Sequence, residues 1–330
     1  MNEDFLHGGA LDRMRAAFPD APAPWIDLST GINPWSYPFT DVPPDAHRHL
    51  PAQSDWYACR AAMAAAFGAP SDSLILSPGS ELLIRLLPTI ISPRRVAIQS
   101  PTYGDHTRVW RAAGCEAVES EYPLAEAGRA DAVIVCNPNN PDGRTFTPDE
   151  LEQTRRQLAA HNGWLIVDEA YADLDPAHSL APDGGRDNLI VLRSFGKFFG
   201  LAGIRLGALI GPGHVLSLMS ERLGVWPVSG PALAIGRQAY DDHAWQAETR
   251  DRLKAARIRL DALLAGAGLN IAGGCDLFRL VRTPDATTLW QTLAERGLYV
   301  RRFDWSDCLL RIGLPQGSEA EHRLAAALNP

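Results

Sequence analysis

Between Leu74 and Gly211, short runs of apolar and often β-branched residues alternate with longer stretches in which apolar positions recur at helical spacing. That alternation predicts an α/β fold with a mostly parallel sheet, because a strand covered on both faces is apolar throughout and a crossover helix must return the chain. Seven strands are expected, at Leu74–Ser77, Val96–Gln99, Ala117–Glu121, Ala132–Cys136, Trp164–Asp168, Leu189–Arg193 and Leu206–Ile210. One helix start is explicit: Thr147-Pro148-Asp149-Glu150 offers a capping hydroxyl, proline at the first helical position and a glutamate that can bond back to the cap. That helix should run to about Ala160. After Pro231 the pattern changes to a long helical stretch, Ala232–Ala265, followed by strands near Leu277–Val281, Tyr299–Arg302 and Leu309–Ile312 with a helix among them. Three parts follow: an N-terminal segment, 1–35, that crosses to the small domain; a large domain, 36–230, around the seven-stranded sheet; and a smaller α+β domain, 231–330.

Composition narrows the function. A formal charge of −8 over 330 residues argues against a general nucleic-acid or anionic-membrane surface, so an anionic ligand must meet locally gathered arginines. The longest apolar stretch, Leu82–Ile91, is broken by Arg85 and Pro88 and falls well short of the roughly 20 residues of a membrane helix. The start, Met1-Asn2-Glu3-Asp4-Phe5-Leu6-His7, is acidic and has no apolar core, which predicts no secretory signal and a cytoplasmic protein. The five cysteines, Cys59, Cys115, Cys136, Cys275 and Cys308, lack paired short spacings, so reduced thiols are expected, with neither a disulfide framework nor a metal site. Of the 31 basic residues only Lys197 and Lys254 are lysines. Arginine supplies charge but forms no imine with an aldehyde at ordinary pH, so each lysine is informative. Lys254 sits in a charged helical stretch, whereas Lys197 sits in a Gly-flanked apolar segment after a strand.

The loops after strand ends carry the candidate chemistry, since ligands bind there in such sheets. Ser77-Pro78-Gly79-Ser80-Glu81 opens a helix whose N–H groups can hold a phosphate. Asn137, in Cys136-Asn137-Pro138-Asn139-Asn140-Pro141-Asp142-Gly143, can donate to a phenolate oxygen. Asp168, in Val167-Asp168-Glu169-Ala170-Tyr171, ends a hydrophobic strand where it can pair with a buried cation. Arg205, just before the last strand of the series, has the planar fork that suits phosphate. Taken singly each loop has an ordinary reading as a turn or a helix cap. Together they supply what pyridoxal 5'-phosphate needs: an amine (Lys197), an acid for the ring nitrogen (Asp168), donors to the phenolate oxygen (Asn137 and Tyr171) and a phosphate cradle (Gly79, Ser80, Ser194 and Arg205).

Asn-Pro-Asn-Asn-Pro, Asp-Glu-Ala-Tyr and Ser-x-x-Lys followed eight residues later by Arg resemble the class I/II aminotransferase family of fold type I. The separations of 31 residues from Asn137 to Asp168 and 29 from Asp168 to Lys197 resemble it too. The resemblance implies that Tyr103 stacks on the cofactor ring, that Arg311 meets a substrate carboxylate, and that Arg301, His7 and Asn33 lie near a substrate phosphate. Arg302 replaces Arg301 on a one-residue slip. It also implies a homodimer, although Leu50-Pro51 stands where relatives often carry Tyr-Pro and reach the neighbouring subunit's cofactor phosphate. Within the family, His7-Gly8-Gly9, Asp27-Leu28-Ser29-Thr30-Gly31-Ile32-Asn33-Pro34 and Trp226-Pro227-Val228 resemble the branch that decarboxylates a phosphorylated amino acid. The rival branch transfers the amino group of a phosphorylated amino alcohol. A serine acyl-transfer enzyme built on Ser194 and Lys197 would also need S-D-N and K-T-G elements, which the sequence lacks. A non-enzymatic regulator would need an added DNA-binding domain, for which no residues are left over.

Overall fold

Two sheets organise residues 8–329, the part of the chain that the computed structural model describes. In chain order the strands are β1 (Ile26–Leu28), β2 (Leu74–Ser77), β3 (Arg95–Gln99), β4 (Glu116–Ser120), β5 (Ala132–Cys136), β6 (Trp164–Asp168), β7 (Leu189–Ser194), β8 (Gly207–Ile210), β9 (Asn270–Cys275), β10 (Phe278–Arg282), β11 (Leu298–Phe303) and β12 (Ser306–Gly313). The chain divides into two compact units: one comprises Met1–Trp35, Pro141–Gly143 and Ala247–Pro330, the other Ser36–Asn140 and Arg144–Gln246.

The larger unit holds a seven-stranded sheet in the order β2-β8-β7-β6-β5-β3-β4. Its strands fall within a residue of the apolar runs, because Val96, Ile134, Ile166, Ile190 and Leu209 all go into one core with Leu83, Trp110 and Met219 from the covering helices. β8 runs antiparallel to both β2 and β7 and the remaining pairs are parallel, so β8 begins at the edge where the other six strands end. Helix Pro148–Ala159 starts with the expected capping box, in which Thr147 accepts from the Glu150 N–H and Glu150 bonds back to Thr147.

The expected long helix after Pro231 is two helices, Gly230–Asp241 and His243–Gly266. Asp242, at φ −88 and ψ 73, leaves helical geometry and caps the second helix by accepting from the Trp245 N–H. Helix Gly230–Asp241 belongs to the larger unit and packs on Gln53–Phe67.

The smaller unit carries a five-stranded sheet, β1-β11-β12-β10-β9. β1 and β9 were not foreseen. β1 is three residues long in a proline-rich segment and gains its hydrogen bonds only by lying parallel to β11. β9 contains Gly273 and Gly274, which dilute the strand pattern.

A buried ion cluster fastens the ends of β6 and β7. Arg193 is 2% exposed; it bonds to Glu169 (2.8 Å) and to Asp173, with the Phe67 ring 4.1 Å from its guanidinium carbon. Glu169 also accepts from the Ser179 hydroxyl and the Leu180 N–H, both at 2.6 Å. Removing one partner from such a cluster leaves uncompensated buried charge. Arg193→Ala should therefore lower stability by about 3–5 kcal/mol in urea unfolding. The exposed Arg156, paired with Glu152 at 2.8 Å, is the control, and Arg156→Ala should change stability by no more than about 0.5 kcal/mol.

Candidate active site

The polarity of the seven-stranded sheet gathers the candidate residues of the larger unit at one edge. Gly79, Tyr103, Asn137 and Lys197 follow the carboxyl ends of β2, β3, β5 and β7, and Asp168 is the last residue of β6. Arg205 precedes β8, which runs the other way, and so arrives at the same edge. The register pairs Gly207 with both Ser77 and Ser194, placing the loop that carries Lys197 beside the turn that carries Gly79 and Ser80.

That turn is shaped to receive an anion. Gly79 has φ +93, a conformation open chiefly to glycine, and caps helix Ser80–Leu86. A Cβ at Gly79 would lie 2.5 Å from the Arg205 Nη2, so the exposed guanidinium lies directly against a bare backbone at the positive end of a helix. Arg205 holds φ +56, unusual for a side-chain-bearing residue, and donates to the Ala202 carbonyl. A group with a phosphate fits this cradle. Ser80 and Ser194, both half-buried, flank it. The Glu81 carboxylate turns to other work, accepting from the Tyr103 hydroxyl (2.9 Å) and pairing with Arg85 (2.7 Å), so it braces Tyr103. Burial, with the charges of Glu81 and Asp105 adding to it, pushes the Tyr103 phenol well above its ordinary range and keeps it neutral.

Asp168 is 4% exposed and ends β6. One oxygen accepts from the Ala170 N–H at 3.1 Å; the other meets His106 Nε2 at 3.0 Å. His106 was passed over in the sequence. It lies three residues after Tyr103 on helix Asp105–Ala112, and only the strand order brings it to Asp168. Burial lowers its pKa, but hydrogen bonds to Asp168 and then to Cys136 outweigh that and raise it from 6.5 to about 10. The imidazolium thus orients the Asp168 carboxyl group, which ends β6 at the edge where a ligand would bind.

Asn137 does not have the part expected of it. Its amide nitrogen donates to the Phe146 carbonyl (3.1 Å) and the His178 carbonyl (3.3 Å), and its oxygen accepts from the Phe146 N–H. A carboxamide has two donor hydrogens, and both are used, so Asn137 locks its own loop and has none for a phenolate. Asn139 is also engaged, with Thr102 and the Pro101 carbonyl. Asn140 is the half-buried amide of the three. Tyr171, buried at 4% exposure, stands three residues beyond Asp168, as the motif requires.

In the smaller unit, Arg301 and Arg311 are directly opposite each other on β11 and β12 and therefore share one face of the sheet. Arg302 pairs with Leu310 on the other face, its guanidinium 4.8 Å from the Trp290 ring. Arg311 is 5% exposed, lies over Phe278 and donates to the Ser29 carbonyl. Asn33 is buried and lines a cavity of about 190 Å³ with Asp27, Thr30, Gly31 and Gly313. His7 lies outside the described residues.

Comparison with known proteins bears on the family and the fold. The family model described as aminotransferase class I and II matches residues 53–327. The threonine-phosphate decarboxylase of a Sinorhizobium species is 41% identical over 99% of this chain and 98% of its own length. That of Pseudomonas aeruginosa is also 41% identical, over 98% of this chain and 96% of its own. In fold, the chain resembles the histidinol-phosphate aminotransferase of Sinorhizobium meliloti solved with pyridoxal-5'-phosphate, with a TM-score of 0.79 and 19% identity over 96% of this chain and 92% of that one.

The raised pKa of His106 has a testable sign. A group whose pKa rises on folding stabilises fully below its unfolded value and loses that contribution as pH climbs through the folded one. The melting temperature of the wild type should therefore exceed that of His106→Asn most below pH 6.5, and the gap should close toward pH 10.

Proposed function

The chain belongs to the aminotransferase class I and II family, and we propose that it is a pyridoxal-phosphate-dependent carboxy-lyase acting on L-threonine O-3-phosphate. The product is (R)-1-amino-2-propanol O-2-phosphate, for the aminopropanol arm of cobalamin biosynthesis. The two decarboxylase relatives, matched over nearly the whole of both lengths, support the reaction. The observation that carries the substrate class is the pair Arg301 and Arg311, set opposite each other on one sheet face. Two guanidinium groups on one sheet face suit a substrate that carries a phosphate and a carboxylate a few bonds apart, since each fork can take one anion.

When bound, pyridoxal phosphate supplies an aldehyde that captures amines and a protonated ring that draws electrons from the substrate. Lys197 provides the amine of attachment, and Asp168, oriented by His106, keeps the proton on the ring nitrogen. Tyr171 donates to the phenolate oxygen, with Asn140 in the place first given to Asn137. Gly79, Ser80, Ser194 and Arg205 hold the phosphate, and Tyr103, braced by Glu81, covers the ring. Arg311 directs the substrate carboxylate, while Arg301, Asn33 and His7 take the substrate phosphate. By holding the two ends of the substrate, Arg311 and Arg301 would decide which bond at its α-carbon is presented to the cofactor, and the chemistry the cofactor would supply there is loss of carbon dioxide.

The enzyme acts in the cytoplasm as a homodimer. Among the described residues no helix is long and apolar enough to cross a membrane. The exposed Leu50, Tyr57, Val225 and Trp226 support a partner surface, and active monomer in sedimentation would overturn the dimer.

Purified enzyme loaded with pyridoxal phosphate should release carbon dioxide from threonine phosphate with no oxo-acid partner. Borohydride should fix the cofactor to the peptide containing Lys197 and not to that containing Lys254. Arg311→Ala should lose at least about tenfold in turnover, since a charge-assisted arginine contact contributes on the order of 2 kcal/mol. Conversion of histidinol phosphate and 2-oxoglutarate to glutamate, with the carboxylate of threonine phosphate left intact, would instead make the chain a histidinol-phosphate aminotransferase.

A further inference from the structure

Ser29 touches more of the smaller unit's polar network than its size suggests. It is fully buried, at 0% exposure, one residue beyond β1. Its hydroxyl donates to Asp27 Oδ1 at 2.6 Å and accepts from the Gly9 N–H at 2.9 Å. Its own N–H donates to the same Asp27 oxygen at 2.8 Å. Its carbonyl oxygen receives a guanidinium hydrogen of Arg311. Gly8 lies so close to that carbonyl that a Cβ there would be 2.6 Å from the oxygen and 2.9 Å from the Ser29 hydroxyl. Tyr299, two residues before Arg301, is paired with Asp27 in the sheet.

A guanidinium is planar, so fixing one of its nitrogens largely fixes the direction of the rest of the fork. The atom that does so for Arg311 is a backbone oxygen whose position depends on the Ser29 side chain. We propose that Ser29 is a positioning residue for carboxylate recognition: by tying β1 to the Gly8-Gly9 segment it sets the aim of Arg311. Carboxylate binding thereby depends on the N-terminal segment, not on Arg311 alone. The two glycines also gain a reason, for any side chain at position 8 would displace the carbonyl that Arg311 uses.

This inference rests on the reading of Arg311 as the carboxylate-directing residue, and two ligands separate it from a general loss of structure. Threonine phosphate carries both anions; 1-amino-2-propanol phosphate lacks the carboxylate. With enzyme loaded with pyridoxal phosphate, Ser29→Ala should lower kcat/KM for threonine phosphate about fivefold, the value of about one hydrogen bond. The dissociation constant of 1-amino-2-propanol phosphate, followed by visible absorbance, should stay within about twofold. Asp27→Asn, which keeps the Ser29 hydroxyl but weakens its acceptor, should shift the same ratio in the same direction by less, and it carries the test if Ser29→Ala fails to fold. Equal losses for the two ligands, or none, would overturn the positioning role alone. Wild-type enzyme that binds neither ligand would overturn the functional reading and this inference with it.

Discussion

Strand polarity is the constraint on which the candidate site depends. Hydrogen bonding in a parallel sheet obliges neighbouring strands to end at one edge, so residues from 79 to 197, far apart in sequence, share a neighbourhood. β8 alone runs the other way, and that reversal is what lets a residue before a strand, Arg205, stand with residues after strands. A β8 parallel to its neighbours would carry the guanidinium to the far edge of the sheet. Buried pairs stand at the ends of these strands: Arg193 between Glu169 and Asp173, and His106 against Asp168. Alternation along the chain makes this possible, since Asp168 and Glu169 are neighbours whose carboxylates serve different partners.

Much of this fold was legible because burial on both sides leaves a strand without polar positions. The runs from Leu74 to Ile210 were visible for that reason except β4, an edge strand with Glu116 and Glu119 exposed, and the helix after Thr147 was visible because its cap is written in three residues. β1 escaped because its pairing comes from β11, distant in sequence, and β9, which forms a hairpin with β10, because Gly273 and Gly274 dilute its strand pattern. The break at Asp242 escaped because aspartate is tolerated inside a helical pattern and only its hydrogen bond to Trp245 shows it acting as a cap.

The site was legible in its residue types more than in their partners. Lys197, Asp168 and Arg205 were marked by odd chemistry in apolar surroundings. Three asparagines in four positions could not be ranked from sequence, because the deciding fact is where the Asn137 amide hydrogens go. His106 gave no signal of its own on an amphipathic helix. Strand alternation, by contrast, separates Arg301 from Arg302 once the register with Arg311 is known.

The shortage of lysine acquires another meaning beside an aldehyde cofactor. Lys254 is exposed on helix His243–Gly266 and Lys197 is half-buried in its loop, and these are the only two side-chain amines in the sequence. An aldehyde in solution condenses with whatever amines it meets, so a surface dense in lysine would sequester cofactor in unproductive adducts. By using arginine wherever a positive charge suffices, this protein keeps its exterior almost inert to carbonyl compounds. Its selectivity for its own cofactor therefore lies partly in what the rest of the surface leaves out.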